Sequence, residues 1–438
     1  AGYRKPARLV IPDPDKRCAV QPTNLNSSEH IAPGPAALVI VFVTALMDSI
    51  GFGIMLPVLP ELLMEINGRD LAAAAQIGGV LMVIYAAIQF CFAPLLGNLS
   101  DAIGRRPVLL ISLGVASSNY ILMGLAESLT VLFIGRVLSG MGSATLSTCN
   151  AYIADTTQAD KRAQYFGMIG AAFGLGFVIG PIIGGLVGGF GSRAPFFLAG
   201  ALLAVNLLMG LLLLPESLNH ENRRRFILRN ANPISTLLRL SQYKMILGIL
   251  SVIFIYHLGH HVLPSIWSYF TMQRFAWSAR EIGYSLGFIG LLMALVQGLL
   301  IKKVIPKIGL RGAGVLGMSC TTVAFLGYAG ASESWMMYLA MIPGALGALA
   351  GPALNGLAST KVEDNRQGEL QGGLASLMSL ASIIAPPLMT QVFSSFSQAS
   401  SAFYYPGAPF LLSATLTLIS LAVFINISRS EAGPLGEK

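Results

Sequence analysis

Twelve apolar runs constrain this chain more than any other feature. They lie at about 36–62, 75–97, 107–126, 129–152, 163–189, 194–214, 245–271, 282–301, 312–331, 335–357, 370–394 and 408–427. Each is long enough to cross a bilayer, which takes about 20 residues of helix. Lipid offers no water to backbone amides and carbonyls, so a spanning segment is either a helix or a strand of a closed barrel. Barrel strands alternate in polarity over about 10 residues, and these runs are continuously apolar. The expected fold is an all-α polytopic membrane protein with twelve transmembrane helices. Charge content agrees: 11% of the residues are charged and 54% hydrophobic, whereas water-facing domains are about 25% charged.

Lysine and arginine sort by connection. With the N-terminus in the cytoplasm, 23 of the 28 fall in inner segments, and only Arg69, Arg193, Arg274 and Arg280 in outer loops. Arg136 alone lies within a run. Positive loops remain cytoplasmic, so both termini are expected there. The same sorting accounts for the net charge of +8 without a nucleic-acid partner; the partner implied is the bilayer. Residues 1–34 are polar and proline-rich, read as a disordered tail with no apolar core of a signal peptide. The longest internal connection, 215–244, holds Arg223-Arg224-Arg225 and separates 35–214 from 245–428, followed by a short tail, 429–438. These two parts match at a constant offset of 205 residues: Gly104 and Arg106 with Gly309 and Arg311, Asn150 with Asn355, Gly167 with Gly372, and Pro181 with Pro386. A shared offset implies two six-helix pseudo-repeats. Cys18, Cys91, Cys149 and Cys320 have no C-x-x-C spacing, and the last three lie in apolar runs as small hydrophobes. Neither a disulfide framework nor a metal site is expected.

Between the second and third runs stands Gly97-Asn98-Leu99-Ser100-Asp101-Ala102-Ile103-Gly104-Arg105-Arg106-Pro107, read as a short charged turn. Gly97 and Gly104 suit tight backbone geometry, Asp101 can cap a helix, and Arg105 and Arg106 can seek carboxylates or lipid phosphates. For the two arginines alone, an ordinary positive loop is an equal reading. Asp155, at the inner end of the fourth run, could pair with either arginine. With Asp101 it would form a cytoplasmic latch that breaks as the halves rock. In the first run, Asp48 is the acidic residue at mid-depth. A carboxylate there costs a few kcal/mol unless paired, hydrated or protonated. It is therefore a proton or cation site, or else it makes a structural hydrogen bond to a neighbour. Arg136 is either a coupling residue or an arginine snorkelling to an interface. Gly167, Gly176, Gly180-Pro181 and Gly184-Gly185 follow G-x8-G-x3-G-P-x2-G-G in the fifth run. Spacings of four and eight place glycines on one helix face, for close approach of a neighbour, and Pro181 favours a bend. His257, His260 and His261 have chelating spacing but no cysteine or carboxylate completes the set. His257 is read instead as a cavity contact. Gln89, Asn119, Gln297, Asn355 and Gln371 could line a central pocket, although in-span amides also serve helix packing.

The G-x-L-x-D-x-x-G-R-R-P string resembles the signature of the major facilitator superfamily between its second and third helices. The fifth-run glycine pattern resembles the antiporter motif of that superfamily's drug:proton exchangers. From about 36 to 427 the chain is similar to the tetracycline-resistance class, most closely over Asp48–Pro60, Gly97–Leu110, Ser139–Gly185 and Gly351–Leu377. The resemblance implies a major facilitator fold and a rocker-switch carrier exchanging cytoplasmic drug for external protons. Asp48 would then be the first-helix acid, Gln89 a polar substrate contact, and Arg136 the fourth-helix arginine tied to proton coupling. It implies a bacterial inner-membrane protein acting as a monomer, with no cofactor beyond protons and with a divalent cation only as part of a drug chelate. The chain departs from that class where further membrane acids are usual, carrying Asn119 and Thr321 there, and Ala102 where a basic residue is usual. Export is thus a firmer expectation than tetracycline itself. The rival is a facilitator or symporter for an endogenous metabolite or sugar. An enzyme would need a clustered nucleophile and base, and a receptor a sizeable soluble domain; the sequence offers neither.

Overall fold

The computed structural model describes residues 35–432 apart from 69, 220, 222, 225, 227–243, 363–366, 399–400 and 402. The expected tail 1–34, most of the connection 215–244 and the end of the tail 429–438 lie outside the described residues. In the first half the helices are α1 (Pro35–Asn67), α2 (Leu71–Ile103), α3 (Arg105–Gly124), α4 (Leu129–Met141), α5 (Thr145–Thr156), α6 (Ala159–Gly188) and α7 (Ala194–Leu213). In the second they are α8 (Lys244–His260), α9 (Val262–Phe275), α10 (Ala279–Leu295), α11 (Ile301–Gly330), α12 (Ser334–Leu346), α13 (Ala350–Ser359), α14 (Gln367–Ser397) and α15 (Ala408–Ala432).

Eleven helical stretches among the described residues are long and apolar enough to cross a membrane. One of them, Ala279–Gly330, has 52 residues. Straight, it would measure about 78 Å at 1.5 Å per residue, more than twice the hydrocarbon thickness. It makes two crossings, because Gly309 breaks it with φ 71° and ψ 172°, and the crossings therefore number twelve. Gly104, which parts α2 from α3, has φ 114° and ψ 161°. Both pairs of angles fall in a region open essentially to glycine alone. The offset that relates these two glycines in sequence thus relates two copies of one backbone device.

The expected turn at 97–107 needs correction. Helix continues to Ile103 and resumes at Arg105, and on the other side it runs from Ile301 with only Gly309 departing. Gly97 is therefore a helical residue, not a turn residue. Backbone hydrogen bonding does not stop where the apolar run stops, since long charged side chains reach water from a continuing helix.

Four crossings among the described residues leave regular α-helix within their length: the fourth at Gly142–Ala144, the seventh at His261, the eighth by a π-helical turn, Val296–Leu300, and the tenth by a 3-10 turn, Gly347–Leu349. Freed backbone groups at such depth persist only where protein or cavity water serves them, and the Gly347 carbonyl accepts from the Tyr256 hydroxyl at 3.3 Å. Packing repeats as well. α1 packs on α6 and α7, and α3 on α7; correspondingly α8 packs on α14 and α15, and α11 on α15.

The halves meet through α6 with α10 and through α2 with α14. The close contacts gather toward the face where α1 ends, here called the Asn67 face. There Ser268 donates to the Leu56 carbonyl at 2.7 Å and Gln76 to Gln391 at 3.1 Å. A Cβ on Gly185 would stand 3.1 Å from the Gly283 Cα. On the stripe of α6 that continues toward the opposite, Pro35 face, a Cβ on Gly167 or Gly174 would meet nothing within 4 Å, and across from it the same holds for Gly298. The cleft between the halves therefore opens toward the Pro35 face.

Candidate functional site

Mid-depth in the first half, α1 to α5 place a group of polar side chains around two charges. Asp48 on α1 is half-buried, and the Thr145 hydroxyl at the start of α5 donates to its carboxylate. Behind it lies Cys149, whose thiol faces the Val41 carbonyl at 3.8 Å. Tyr85 on α2 and Tyr120 on α3 are each within electrostatic reach of both Asp48 and Arg136. Gln89, one turn from Tyr85, hydrogen-bonds its hydroxyl. Arg136 on α4 is 6% exposed and donates to the Met55 sulfur, while its Nε has no partner. It shares no ion pair with Asp48 or with any other described carboxylate. The arginine does not snorkel, because its head is buried among tyrosines instead of reaching an interface. Tyr269, from α9 of the second half, completes its surroundings.

At the Pro35 face a second cluster clamps four elements of the first half. Arg105 Nε donates to Asp155 Oδ2 at 2.9 Å, Arg105 Nη1 donates to Ser100 Oγ at 2.7 Å, and the guanidinium also pairs with Asp101. Asp155 accepts from the Ser217 hydroxyl at 3.3 Å. The pairing anticipated for Asp155 is thus made with Arg105. Arg106 instead donates to the Leu211 carbonyl at 2.8 Å. Asp101 does not cap α3. That task falls to Glu216, beyond α7, whose carboxylate accepts from the backbone N–H of Arg105 at 2.8 Å and of Arg106 at 3.3 Å. The cap requires Gly104: a Cβ there would stand 2.7 Å from the Glu216 carboxyl carbon. All these partners belong to the first half or to the start of the connection that leaves it, so in this conformation the described cluster braces one half and does not bolt the two together.

The glycine series on α6 divides between two partners and open space. Cβ atoms on Gly176 and Gly180 would lie 2.6 Å and 2.7 Å from the carbonyls of Leu46 and Ile50 on α1, and Gly184 lies against Ile54 of the same helix. Gly185 faces α10 instead, at Ala279 and Gly283. Pro181 packs its ring on Gly53. A Cβ on Gly167 would meet no neighbour within 4 Å, so the single face expected for the five glycines is corrected: three meet α1, one meets α10, and the first lies open.

The five amides differ in their surroundings. Asn119 is 2% exposed between α3 and α4, donating to Ser139 Oγ at 2.5 Å; it packs helices and does not line a cavity. Gln297, Asn355 and Gln371 are exposed on separate elements and make no hydrogen bond to the Asp48 group. Thr321 is 2% exposed, bonded to Gly317 and Tyr256. His260 stacks on Tyr256, His257 is half-buried, and among the described residues no three metal-ligating side chains converge. An apolar groove of about 500 Å³ at α11 and α12, lined by Val323, Leu326 and Met336, contains none of these residues.

Sequence reasoning missed Glu216 and the tyrosines. Pro215-Glu216-Ser217 directly after an apolar run was a usable signal for the first. Tyr85, Tyr120 and Tyr269 were visible as hydroxyl-bearing aromatics at membrane depth, away from the interfaces where tyrosine normally gathers.

With this geometry in view, comparisons with known proteins place the chain. The family model described as Major Facilitator Superfamily matches residues 41–372. The class C tetracycline resistance protein of Escherichia coli is 39% identical over 385 residues, covering 88% of this chain and 95% of that protein. The class B protein of Escherichia coli is 37% identical over 370 residues, covering 84% and 89%. The crystal structure of the human organic anion transporter MFSD10 superposes with a TM-score of 0.65 at 25% identity, covering 89% of this chain and 99% of that one. The chain belongs to the Major Facilitator Superfamily, in the group that includes the tetracycline resistance proteins.

Proposed function

We propose that this protein is a proton-coupled antiporter of the bacterial inner membrane that exports an amphipathic drug, tetracycline or its divalent-metal chelate. The Pro35 face is then cytoplasmic, as the distribution of lysine and arginine requires. The observation that carries this reading is Asp48: a half-buried carboxyl at mid-depth, hydrogen-bonded by Thr145, in a chain similar over most of its length to tetracycline resistance proteins. Asp48 takes up the proton, and α6 links it to the other half. That helix rests three glycines against α1, which bears Asp48, and a fourth against α10. Rocking of the halves about such flat, small-residue contacts costs little packing and exposes Asp48 to each side in turn. The positions of Asn119 and Thr321, where related pumps carry acids, are both enclosed by packing. Their neutrality therefore removes no charge from the cleft surface of this conformation and does not count against the drug reading. The carrier acts as a monomer and uses no cofactor besides the ions it moves.

The test is drug uptake into inverted membrane vesicles with and without a proton gradient, using tetracycline with a divalent cation and unrelated amphipathic drugs. Wild type accumulates tetracycline only with the gradient, and Asp48→Asn loses that accumulation while the purified protein melts like wild type. Gradient-driven uptake by Asp48→Asn at the wild-type rate refutes the coupling role. Uptake of other drugs alone moves the substrate, and gradient-independent exchange of a metabolite returns the chain to the rival reading.

A further inference from the structure

We propose that Arg136 and Tyr269 together form a binding subsite for an oxyanion group, a carboxylate or enolate, of the transported molecule, complete only while the Asn67 face is closed. The inference deepens the transporter reading above and rests on it.

Arg136 is a cation held at 6% exposure with no carboxylate within ion-pair distance among the described residues. Burying an unpaired charge costs several kcal/mol, and a protein keeps such an arrangement where a ligand supplies the missing charge. The protein supplies only soft or neutral company: the Met55 sulfur and the phenols of Tyr85, Tyr120 and Tyr269. Arg136 Nε finds no acceptor at all. A guanidinium offers five donors in a fork that fits the two oxygens of a carboxylate.

The second donor comes from the opposite half. Tyr269 is 5% exposed and its hydroxyl has no partner. Its ring is brought to the first half by its neighbour Ser268, which donates to the Leu56 carbonyl at 2.7 Å. Leu56 adjoins Met55, the residue that Arg136 touches. The hydroxyl rests on Gly78 of α2, where a Cβ would collide with it. Two buried donors without acceptors, one from each half, thus lie within electrostatic reach of each other. A buried hydroxyl or guanidinium N–H left unpaired costs about 1–3 kcal/mol, and a single oxyanion relieves both.

Asp48 is not the absent counter-charge, since no ion pair joins it to Arg136 and Tyr85 and Tyr120 lie within reach of both. The subsite consequently suits a molecule whose aromatic body meets the two tyrosines while its anionic group meets Arg136. When the halves rock and the Asn67 face opens, Ser268 leaves Leu56 and carries Tyr269 away. The oxyanion then loses one of its two donors, which weakens binding on the side where cargo is released.

The experiment uses the purified full chain in lipid nanodiscs and measures calorimetric binding of 2-naphthoate and of neutral 2-naphthylmethanol. Wild type is expected to bind the carboxylate at least tenfold more tightly than the alcohol. Arg136→Gln abolishes that preference, Arg136→Lys keeps part of it, and Tyr269→Phe, which removes only the hydroxyl, lowers it several-fold. No preference in wild type, or an unchanged preference in both Arg136→Lys and Tyr269→Phe, overturns the proposal even if Arg136→Gln fails to fold. Tetracycline uptake by the same wild-type protein in vesicles separates the two readings. Uptake without a carboxylate preference sinks the subsite alone; an Arg136-dependent preference without uptake sinks the drug and leaves the subsite.

Discussion

Replacing Glu216 with alanine removes the acceptor that holds the start of α3. One carboxylate oxygen receives the backbone N–H of Arg105 at 2.8 Å, of Ser217 at 3.0 Å and of Leu218 at 3.1 Å, and the other receives Arg106 at 3.3 Å. Loss of a helix cap costs about 1 kcal/mol, and loss of an anion at a helix N-terminus a further ~0.3–1 kcal/mol. The N–H groups of Ser217 and Leu218 must also find water, which the half-buried position of Glu216 allows. The expected destabilisation is about 2 kcal/mol for Glu216→Ala. Glu216→Gln keeps an oxygen toward Arg105 but no charge, and should cost about half as much. At roughly 2 °C per kcal/mol for a chain larger than 200 residues, the melting temperature in detergent falls by about 4 °C and 2 °C respectively. Glu221→Ala, at an exposed site on the same connection, serves as the control with no change. Melts of Glu216→Ala and wild type that agree within about 1 °C would show that water caps α3 equally well and that the brace is ornamental. A larger loss in Glu216→Gln than in Glu216→Ala would overturn the charge argument, because it reverses the order of remaining acceptors.

Two further outcomes follow from contacts already described. Gly180→Ala should abolish transport and cost about 1–3 kcal/mol, since its Cβ would lie 2.7 Å from the Ile50 carbonyl, whereas Gly167→Ala, meeting nothing within 4 Å, should transport normally; equal activity of the two variants in the vesicle assay would refute a packing role for this glycine stripe. Gly309→Ala and Gly104→Ala both place a side chain in backbone conformations costing about 1–3 kcal/mol, but only Gly104→Ala also meets the Glu216 carboxylate, so its melting temperature should be the lower of the two.

Why some of this was legible in the residues and some was not follows from the range of the forces involved. Apolar length is a local property that lipid converts directly into a helix, so the crossings and the all-α class could be read from the runs alone. The repeat could be read as well, because equal offsets between residues such as Gly104 and Gly309 survive in sequence. The break at Gly309 also explains why two crossings read as one 52-residue helix by length and composition, although the sequence placed them as two. The site was read in part. A carboxylate at membrane depth is costly unless paired, hydrated or protonated, so Asp48 stood out as a candidate, and Asp155 stood out as a partner for the loop arginines.

What the sequence determined by itself, then, is everything set by the cost of putting a group into lipid: the number of crossings, the lone acid at depth and the arginine within a run. Tertiary structure alone decided which partner each group met. Glu216 reached Gly104 and Arg105 from more than a hundred residues away, Asn119 turned into a helix contact with Ser139, and Gly167 was left facing open space. It also left Arg136 without a carboxylate partner among the described residues and brought Tyr269 across from the other half. Hydrogen bonds and ion pairs act over a few ångströms and depend on direction, so spacing along a chain cannot foretell them; only the packing of α1 through α15 brings the pairs within reach.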